Sequence, residues 1–154
     1  MAMTSTSDII RASTLVVGLS DKQIRTLAQH AKLRQYEDRQ LVAKEGAQSE
    51  YLFILKKGTL IVEKGSPDPF VLNTLREPST FFGEISLIDA KPHSASIRSQ
   101  GVSEVLVFHK KDLVSFFLHH PDAQMSMVLN MARELSSRLR EADERLVQQA
   151  KSSS

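Results

Sequence analysis

The spacing of the apolar residues changes twice along this chain of 154 residues, and the change constrains the fold more than any other feature. Between Ile24 and Ala31 the apolar residues recur at the spacing of one helix face, behind a predicted capping box of Ser20 and Gln23. From about residue 33 to residue 109, short apolar or β-branched runs replace this pattern. Helical spacing returns after Phe108, so the sequence predicts helices on both sides of a β-rich segment.

Turn residues such as Gly46, Gly58 and Gly101 divide the central segment into short runs. The runs are Leu41–Val42, Tyr51–Leu55, Thr59–Val62, Phe70–Leu75, Ser94–Ile97 and Val105–Phe108. Many short strands at nearly regular spacing indicate an antiparallel jelly roll (a double-stranded β-helix) rather than βαβ units. We expect the clearest hairpin between the second and third runs, with Gly58 supplying the turn.

The same patterns predict the organisation of the chain. We expect residues 1–7 to form a disordered tail, and residues 8–120 to form the β-roll with N-terminal helices and a hinge helix. Leu113, Phe116 and Phe117 give the hinge helix its short apolar face. Residues 121–150 are predicted to form one C-terminal helix, because Pro121 suits a first helical turn and neither Gly nor Pro follows it.

The apolar positions of this C-terminal helix alternate at steps of three and four residues. They are Met125, Val128, Ala132, Leu135, Leu139, Ala142 and Leu146, followed by Gln149. Such a heptad pattern over about three repeats is typical of a left-handed coiled coil.

Two partners can cover this seam. Between residues 125 and 135, Leu129 and Met131 broaden the apolar face, so we expect that part to pack on the chain's own roll. Past Leu139 the roll is too small to reach. We therefore predict a parallel homodimer through residues 125–149, and the alternative is a monomer whose seam is unused. The predicted interface residues are Val128, Leu135, Leu139, Ala142 and Leu146.

The composition excludes several classes of function. The chain has no Cys, which excludes disulfides, thiol catalysis and cysteine-ligated metal sites. Its formal charge of +2 is too balanced to indicate a nucleic-acid surface by itself. We see no targeting segment, no apolar run long enough for a membrane span, and no catalytic or metal-ligating motif. We therefore expect a cytoplasmic, non-enzymatic protein that needs no cofactor or metal and does not enter a membrane.

The stretch from Phe81 to Ile97 carries the strongest hint of ligand chemistry. Gly83 precedes a predicted helical turn, whose free backbone N–H groups would suit an anion. Glu84 would repel a phosphate but could accept a hydrogen bond from a hydroxyl group, such as a ribose 2′-OH. Taken alone, the pattern fits either an anion-binding loop or an ordinary strand, turn and capped helical turn.

The segment Phe82-Gly-Glu-Ile-Ser-Leu-Ile88, followed after five residues by Ser94-Ala-Ser-Ile97, resembles the phosphate-binding cassette of cyclic-nucleotide-binding domains. The family includes domains of the catabolite activator protein and of the regulatory subunits of cAMP-dependent kinase. The resemblance runs from about Leu19 to Leu146 and implies a regulatory domain that binds cAMP or cGMP. Many relatives carry a helix-turn-helix domain after the long helix; we expect no DNA-binding domain within this chain.

The resemblance also implies roles for individual residues. Glu84 would bind the ribose 2′-OH, and Val62 and Leu72 would contact the base. Arg138 would cap the base, although it is equally placed to pair with Glu134 on the exposed helix surface. The backbone groups around the cyclic phosphate would come from Gly83, Ile85, Ser86, Ser94 and Ala95, with the Ser94 hydroxyl as a further donor.

This sequence departs from the family's pattern at His93, where the cassette has an Arg that grips the cyclic phosphate. A guanidinium is permanently charged and can donate hydrogen bonds to two oxygens at once, whereas an imidazole is mostly neutral at pH 7. A charged hydrogen bond contributes about 1.5–3 kcal/mol, so its loss predicts binding weaker by about one to two decades. The pocket then binds a cyclic nucleotide weakly, and better at low pH. Alternatively, it is degenerate and the domain is a ligand-free dimerisation or interaction module. A second departure, Glu77-Pro-Ser-Thr80, replaces a Gly-bearing turn.

Overall fold

A computed structural model of the protein describes residues 5–153 and contains helices at both ends of a six-stranded sheet. The N-terminal elements are α1 (Thr6–Arg11), a 3-10 turn (Thr14–Val16) and α2 (Asp21–His30). The strands are β1 (Lys32–Tyr36), β2 (Leu41–Ala43), β3 (Tyr51–Lys64), β4 (Phe70–Leu75), β5 (Phe81–Phe82) and β6 (Ser96–His109). The remaining helices are α3 (Glu84–Asp89), α4 (Lys110–His119) and α5 (Pro121–Ser152).

All strand pairs are antiparallel, in the order β1-β6-β3-β4, with β2 on β6 and β5 on β3. The mainly β class with flanking helices and a long C-terminal helix is therefore confirmed. The predicted capping box is present at the start of α2, where Ser20 accepts the Gln23 N–H and the Gln23 side chain accepts the Ser20 N–H. Pro121 lies at the first turn of α5, as predicted.

The prediction of a hairpin turn at Gly58 is wrong, because Tyr51–Lys64 forms one continuous strand. Its register against β6 shifts between Leu55 and Lys57 and again between Lys57 and Thr59, which indicates a bulge around Gly58. The backbone there has a φ of 104°, and a Cβ atom would lie 2.6 Å from Ser103 Oγ. The glycine thus allows a close crossing of two strands rather than a reversal of the chain.

Four other features also differ from the sequence predictions. The runs on either side of Gly101 belong to one strand, β6, and the largely exposed, polar β1 gave no apolar signal. Thr6 and Ser7, expected in a disordered tail, lie in α1, because the Ser5 hydroxyl caps this helix by accepting the Asp8 N–H. Residues 1–4 lie outside the described residues. The last helix continues two residues beyond the predicted end at residue 150.

Two apolar clusters hold the helices and the roll together. One lies between the sheet and the helices and includes Ile10, Leu27, Phe108, Phe116 and Met127, all almost completely buried. The other fills the roll itself and consists of Tyr36, Ala43, Phe53, Leu55, Leu60, Phe82, Ile97, Val105 and Val107. This second cluster supports the floor of the site described below. No helix within residues 5–153 combines the length and apolar character needed to cross a bilayer.

The N-terminal half of α5 packs on the body of the protein through a face that differs from the predicted seam. Ala123, Met127 and Met131 are buried, whereas the side chains of Met125 and Leu129 are largely exposed. Asn130 fixes this orientation by donating from Nδ2 to the carbonyls of Leu15 and Val17, both at 2.9 Å. The expectation that the seam itself covers the roll between residues 125 and 135 is therefore wrong for most of its positions.

Candidate functional site

Gly83 shapes the loop between β5 and α3. Its φ of 85° lies in the left-handed region, and a Cβ atom there would lie 2.8 Å from a ring carbon of Phe53. Phe53 is held in place by stacking on Phe82, with ring centroids 4.9 Å apart. No side chain among the described residues caps α3, so the N–H groups of its first turn remain available to a ligand.

A cavity of about 230 Å³ lies between this loop, the strands β3 and β4, and the helix α5. It is lined by nine of the ten residues predicted to contact a ligand: Val62, Leu72, Gly83, Glu84, Ile85, His93, Ser94, Ala95 and Arg138. The side chain of the tenth, Ser86, lies outside the described part of the structure. Residues that are up to 76 positions apart in the sequence, Val62 and Arg138, therefore meet around one space.

Arg138 joins the long helix to the cassette. Its Nη1 donates to Glu84 Oε1 at 2.5 Å, its Nη2 donates to the Phe81 carbonyl at 3.0 Å, and its Nε donates to Glu134 Oε1 at 3.3 Å. The surface pairing with Glu134 therefore exists, but it is one of three contacts.

The Glu84 carboxylate is almost completely buried under Arg138, with 1% of its side chain exposed. Burial raises the pKa of Glu84 above its ordinary value, while the charge of Arg138 and its hydrogen bond act in the opposite direction. Glu84 lines the cavity, and an ionised carboxylate keeps lone pairs, beyond the one that Arg138 occupies, that can accept further hydrogen bonds. The arrangement suits a ligand hydroxyl better than a ligand phosphate.

His93, which the sequence analysis expected to replace a phosphate-binding Arg, lines the cavity. Its backbone is fixed on both sides, because its N–H donates to the Ala47 carbonyl and its carbonyl accepts the Gly46 N–H, both at 2.9 Å. Partial burial lowers the pKa of the imidazole below its ordinary value. The ring is therefore mainly neutral at pH 7 and offers one N–H donor.

Lys64, which the sequence analysis did not select, supports the same segment from the end of β3. Its Nζ donates to the Ser94 carbonyl at 2.7 Å. The Ser94 carbonyl and the Ala95 N–H belong to one planar trans peptide and therefore point in opposite directions. Among the described groups, which do not include the Ser86 and Leu87 side chains, the Ala95 N–H has no acceptor, so Lys64 holds a peptide whose donor is available to a ligand.

Three polar residues of the cavity wall were also missed: Asn73 of β4, and Glu141 and Arg145 of α5. Arg145 lies seven residues after Arg138, or two helical turns along the same face, and Glu141 lies between them. The helical spacing from Arg138 could have identified both residues. Asn73 gave no sequence signal, because only the sheet register places it opposite Val62.

A family model described as the cyclic nucleotide-binding domain matches residues 33–120. The chain belongs to the cyclic nucleotide-binding domain family. Among curated proteins, the human cyclic nucleotide-gated channel beta-3 is 30% identical over 130 residues, which are 82% of this chain. The chain spans 16% of the length of that channel, so the similarity concerns one part of a much longer protein.

Solved structures show the same fold for this cyclic nucleotide-binding domain. The catabolite activator protein of Thermus thermophilus is 25% identical, with a TM-score of 0.74, over 90% of this chain and 63% of that one. A cyclic nucleotide-binding domain from Methylobacillus flagellatus KT gives a TM-score of 0.81 at 20% identity, over 94% of this chain and 82% of that one. The match to the Methylobacillus flagellatus domain covers most of both chains and therefore supports the fold assignment.

Proposed function

We propose that this domain is a regulatory module that binds a cyclic nucleotide, cAMP or cGMP, in the cavity beneath α5. One observation carries the proposal: residues expected on sequence grounds to contact the phosphate, the ribose and the base line a single cavity. Family membership supports the class of ligand. We assign the protein no catalytic role and propose a cytoplasmic location.

Different residues of the cavity would contact the phosphate, the base and the ribose of the nucleotide. The N–H groups near Gly83, Ser94 and Ala95 would hold the cyclic phosphate, and the apolar side chains of Val62 and Leu72 would contact the base. A ribose hydroxyl can donate to Glu84 and accept from Arg138 at the same time, so it would join the ion pair already present. The guanidinium of Arg138, which lies 5.8 Å from the centre of the Phe81 ring, could then also cover the base.

Binding would be communicated through α5, because Arg138 belongs to this helix and Glu84 belongs to the cassette. A ligand that changes the Glu84–Arg138 contact changes the relative free energies of the helix positions. The ligand shifts the equilibrium only to the extent that it binds the two positions with different affinity.

Calorimetry with cAMP and with cGMP tests the proposal, on the wild type and on His93→Arg, at about pH 5.5 and pH 7.5. We expect weak binding to the wild type and binding at least about tenfold tighter to His93→Arg, because a charged, two-pronged donor replaces a neutral one. His119→Arg, at an exposed position on α4, is the matched control and should leave the affinity unchanged. Absence of binding to both wild type and His93→Arg would refute the proposal and favour a ligand-free interaction module.

We also propose that the domain forms a parallel homodimer through the C-terminal helix. Val128, Leu139 and Leu146 have exposed fractions of 46%, 63% and 63%, while Leu135 and Ala142 are half-buried. The heptad positions left uncovered by the roll thus form the stripe that a second α5 would bury.

Light scattering coupled to size exclusion tests the dimer. We expect Leu139→Glu combined with Leu146→Glu to convert the dimer to a monomer, because buried carboxylates would face each other across the seam. Ser137→Glu combined with Gln148→Glu adds the same charge away from the seam and should preserve the dimer. A monomeric wild type at micromolar concentration would contradict the proposal.

A further inference from the structure

A second cavity, of about 260 Å³, lies where the start of β3, the end of β6 and the start of α4 meet. We call it the Tyr51 pocket, and it is lined by His30, Lys32, Arg34, Tyr51, Val107, His109, Lys111 and Asp112. Among the residues that the structure describes, it shares no lining residue with the cassette cavity. The cyclic nucleotide proposal therefore makes no use of it.

Five elements converge on this pocket and form its walls. The sheet register places Lys32 opposite Val107 and Tyr51 opposite His109, so β1, β6 and β3 form the floor. Helix α2 ends at His30, and α4 begins directly after β6. The basic side chains are thus held by regular structure rather than by a loop.

The charge of the Tyr51 pocket is not balanced by the protein. Lys32, Arg34 and Lys111 are set against one lining carboxylate, Asp112. Within residues 5–153, the side chains of Lys32 and Lys111 make neither an ion pair nor a hydrogen bond. Positive charges gathered around a concavity raise the local potential and attract an anion, which would relieve their mutual repulsion.

The floor of the pocket supplies a fixed orientation for two of the donors. The Arg34 guanidinium lies over the Tyr51 ring, 4.7 Å from its centre, and His109 meets the same ring edge-on at 5.1 Å. His109 Nδ1 accepts the Lys111 backbone N–H at 3.0 Å, so a neutral imidazole carries its proton on Nε2 and donates from there. At the rim, Glu50 Oε2 lies 3.9 Å from this Nε2 and has an exposed side chain.

We propose that the Tyr51 pocket is a second binding site, for a small anion of the phosphate or oligophosphate class. Lys32, Lys111 and Arg34 supply the charge, and His109 adds a directed N–H donor. The volume suits one or two phosphate groups.

Titration of the full chain with sodium pyrophosphate tests this site, in about 150 mM NaCl so that diffuse attraction is screened. We expect saturable binding with a submillimolar Kd and amide shifts in ¹H–¹⁵N spectra centred on residues 30–34 and 107–112. Lys32→Gln combined with Lys111→Gln should weaken binding at least about tenfold, because two charged donors are lost. Lys22→Gln combined with Lys57→Gln, at exposed positions away from the pocket, removes the same net charge and should change the Kd by less than about twofold.

Three results would overturn the proposal: no saturation up to about 10 mM pyrophosphate, an equal loss in both double variants, or shifts confined to residues 83–95. The last result would show that the anion enters the cassette cavity instead. Thermal unfolding of each variant checks that the fold is retained. No cyclic nucleotide is used in the titration, so its outcome is independent of the first proposal.

Discussion

Replacing Arg138 by Met should destabilise the protein in a pH-dependent way. The substitution removes the partner of Glu84, whose side chain is 1% exposed, and leaves a buried carboxylate without a compensating charge. Loss of one partner from a fully buried pair costs about 3–5 kcal/mol. The Arg138 side chain is 30% exposed, so water can enter the vacated space and partly solvate the carboxylate. We therefore expect the free energy of unfolding to fall by about 2 kcal/mol at pH 7.5.

The sign of the pH dependence follows from the pKa of Glu84. Burial already raises this pKa in the wild type, and removing the opposing charge of Arg138 raises it further. A carboxyl whose pKa is higher in the folded state than in the unfolded state binds more protons when folded. Its penalty is therefore small at low pH and grows as the pH rises from the unfolded value of about 4.3 through the folded value. The loss caused by Arg138→Met should be clearly smaller at about pH 4 than at pH 7.5.

Urea unfolding at the two pH values measures this effect, with Arg140→Met, at an exposed position of the same helix, as the matched control. Glu84→Gln combined with Arg138→Met removes the buried charge and should recover more than half of the loss at pH 7.5. An equal loss at both pH values would refute the reasoning. So would a double variant no more stable than Arg138→Met, because both outcomes would show that the Glu84 charge is not the cause.

Three further predictions concern the cassette. Gly83→Ala should lower the free energy of unfolding by about 1 kcal/mol more than Gly46→Ala. Both glycines have a positive φ, but only a Cβ atom at Gly83 would meet an aromatic ring. Urea unfolding of the two variants measures the difference, and equal losses would contradict this reasoning. Lys64→Met should weaken cyclic nucleotide binding about fivefold in calorimetry, since the carbonyl that it bonds is released, whereas Lys57→Met should not. Binding to the wild type should tighten as the pH falls from 7.5 to 5.5, because burial lowers the pKa of His93 and the cationic form gains population only below about 6.5. His93→Arg should abolish that pH dependence, and an unchanged profile would contradict the role of the imidazole.

Local chemistry in the sequence was sufficient to predict several elements. The capping box of Ser20 and Gln23 and the first-turn Pro121 mark helix starts, because each acts on backbone groups within one turn. The cassette residues could also be selected, since Gly83 and its neighbours follow one another closely along the chain. Such signals need no knowledge of distant partners.

The glycines show where local chemistry becomes ambiguous. Gly58 and Gly101 have a positive φ that suits a tight turn, and each lies between two apolar runs. The paired strand decides between a turn and a bulge: β3 and β6 run alongside each other through both glycines, so the chain continues instead of reversing. That pairing is set by residues about 40 positions apart, which no short window of sequence contains.

Arg138 shows most clearly which of its properties follow from the local sequence and which follow from the tertiary structure. The sequence by itself determined that it lies on a long helix, one turn after Glu134, with a heptad stripe on a neighbouring face. Only the tertiary structure decided that its guanidinium turns toward Glu84, 54 residues earlier, and toward the Phe81 carbonyl. The physical reason is that periodicity fixes which residues share a helix face. The packing of Met127 and Met131 and the hydrogen bonds of Asn130 then set which face meets the roll.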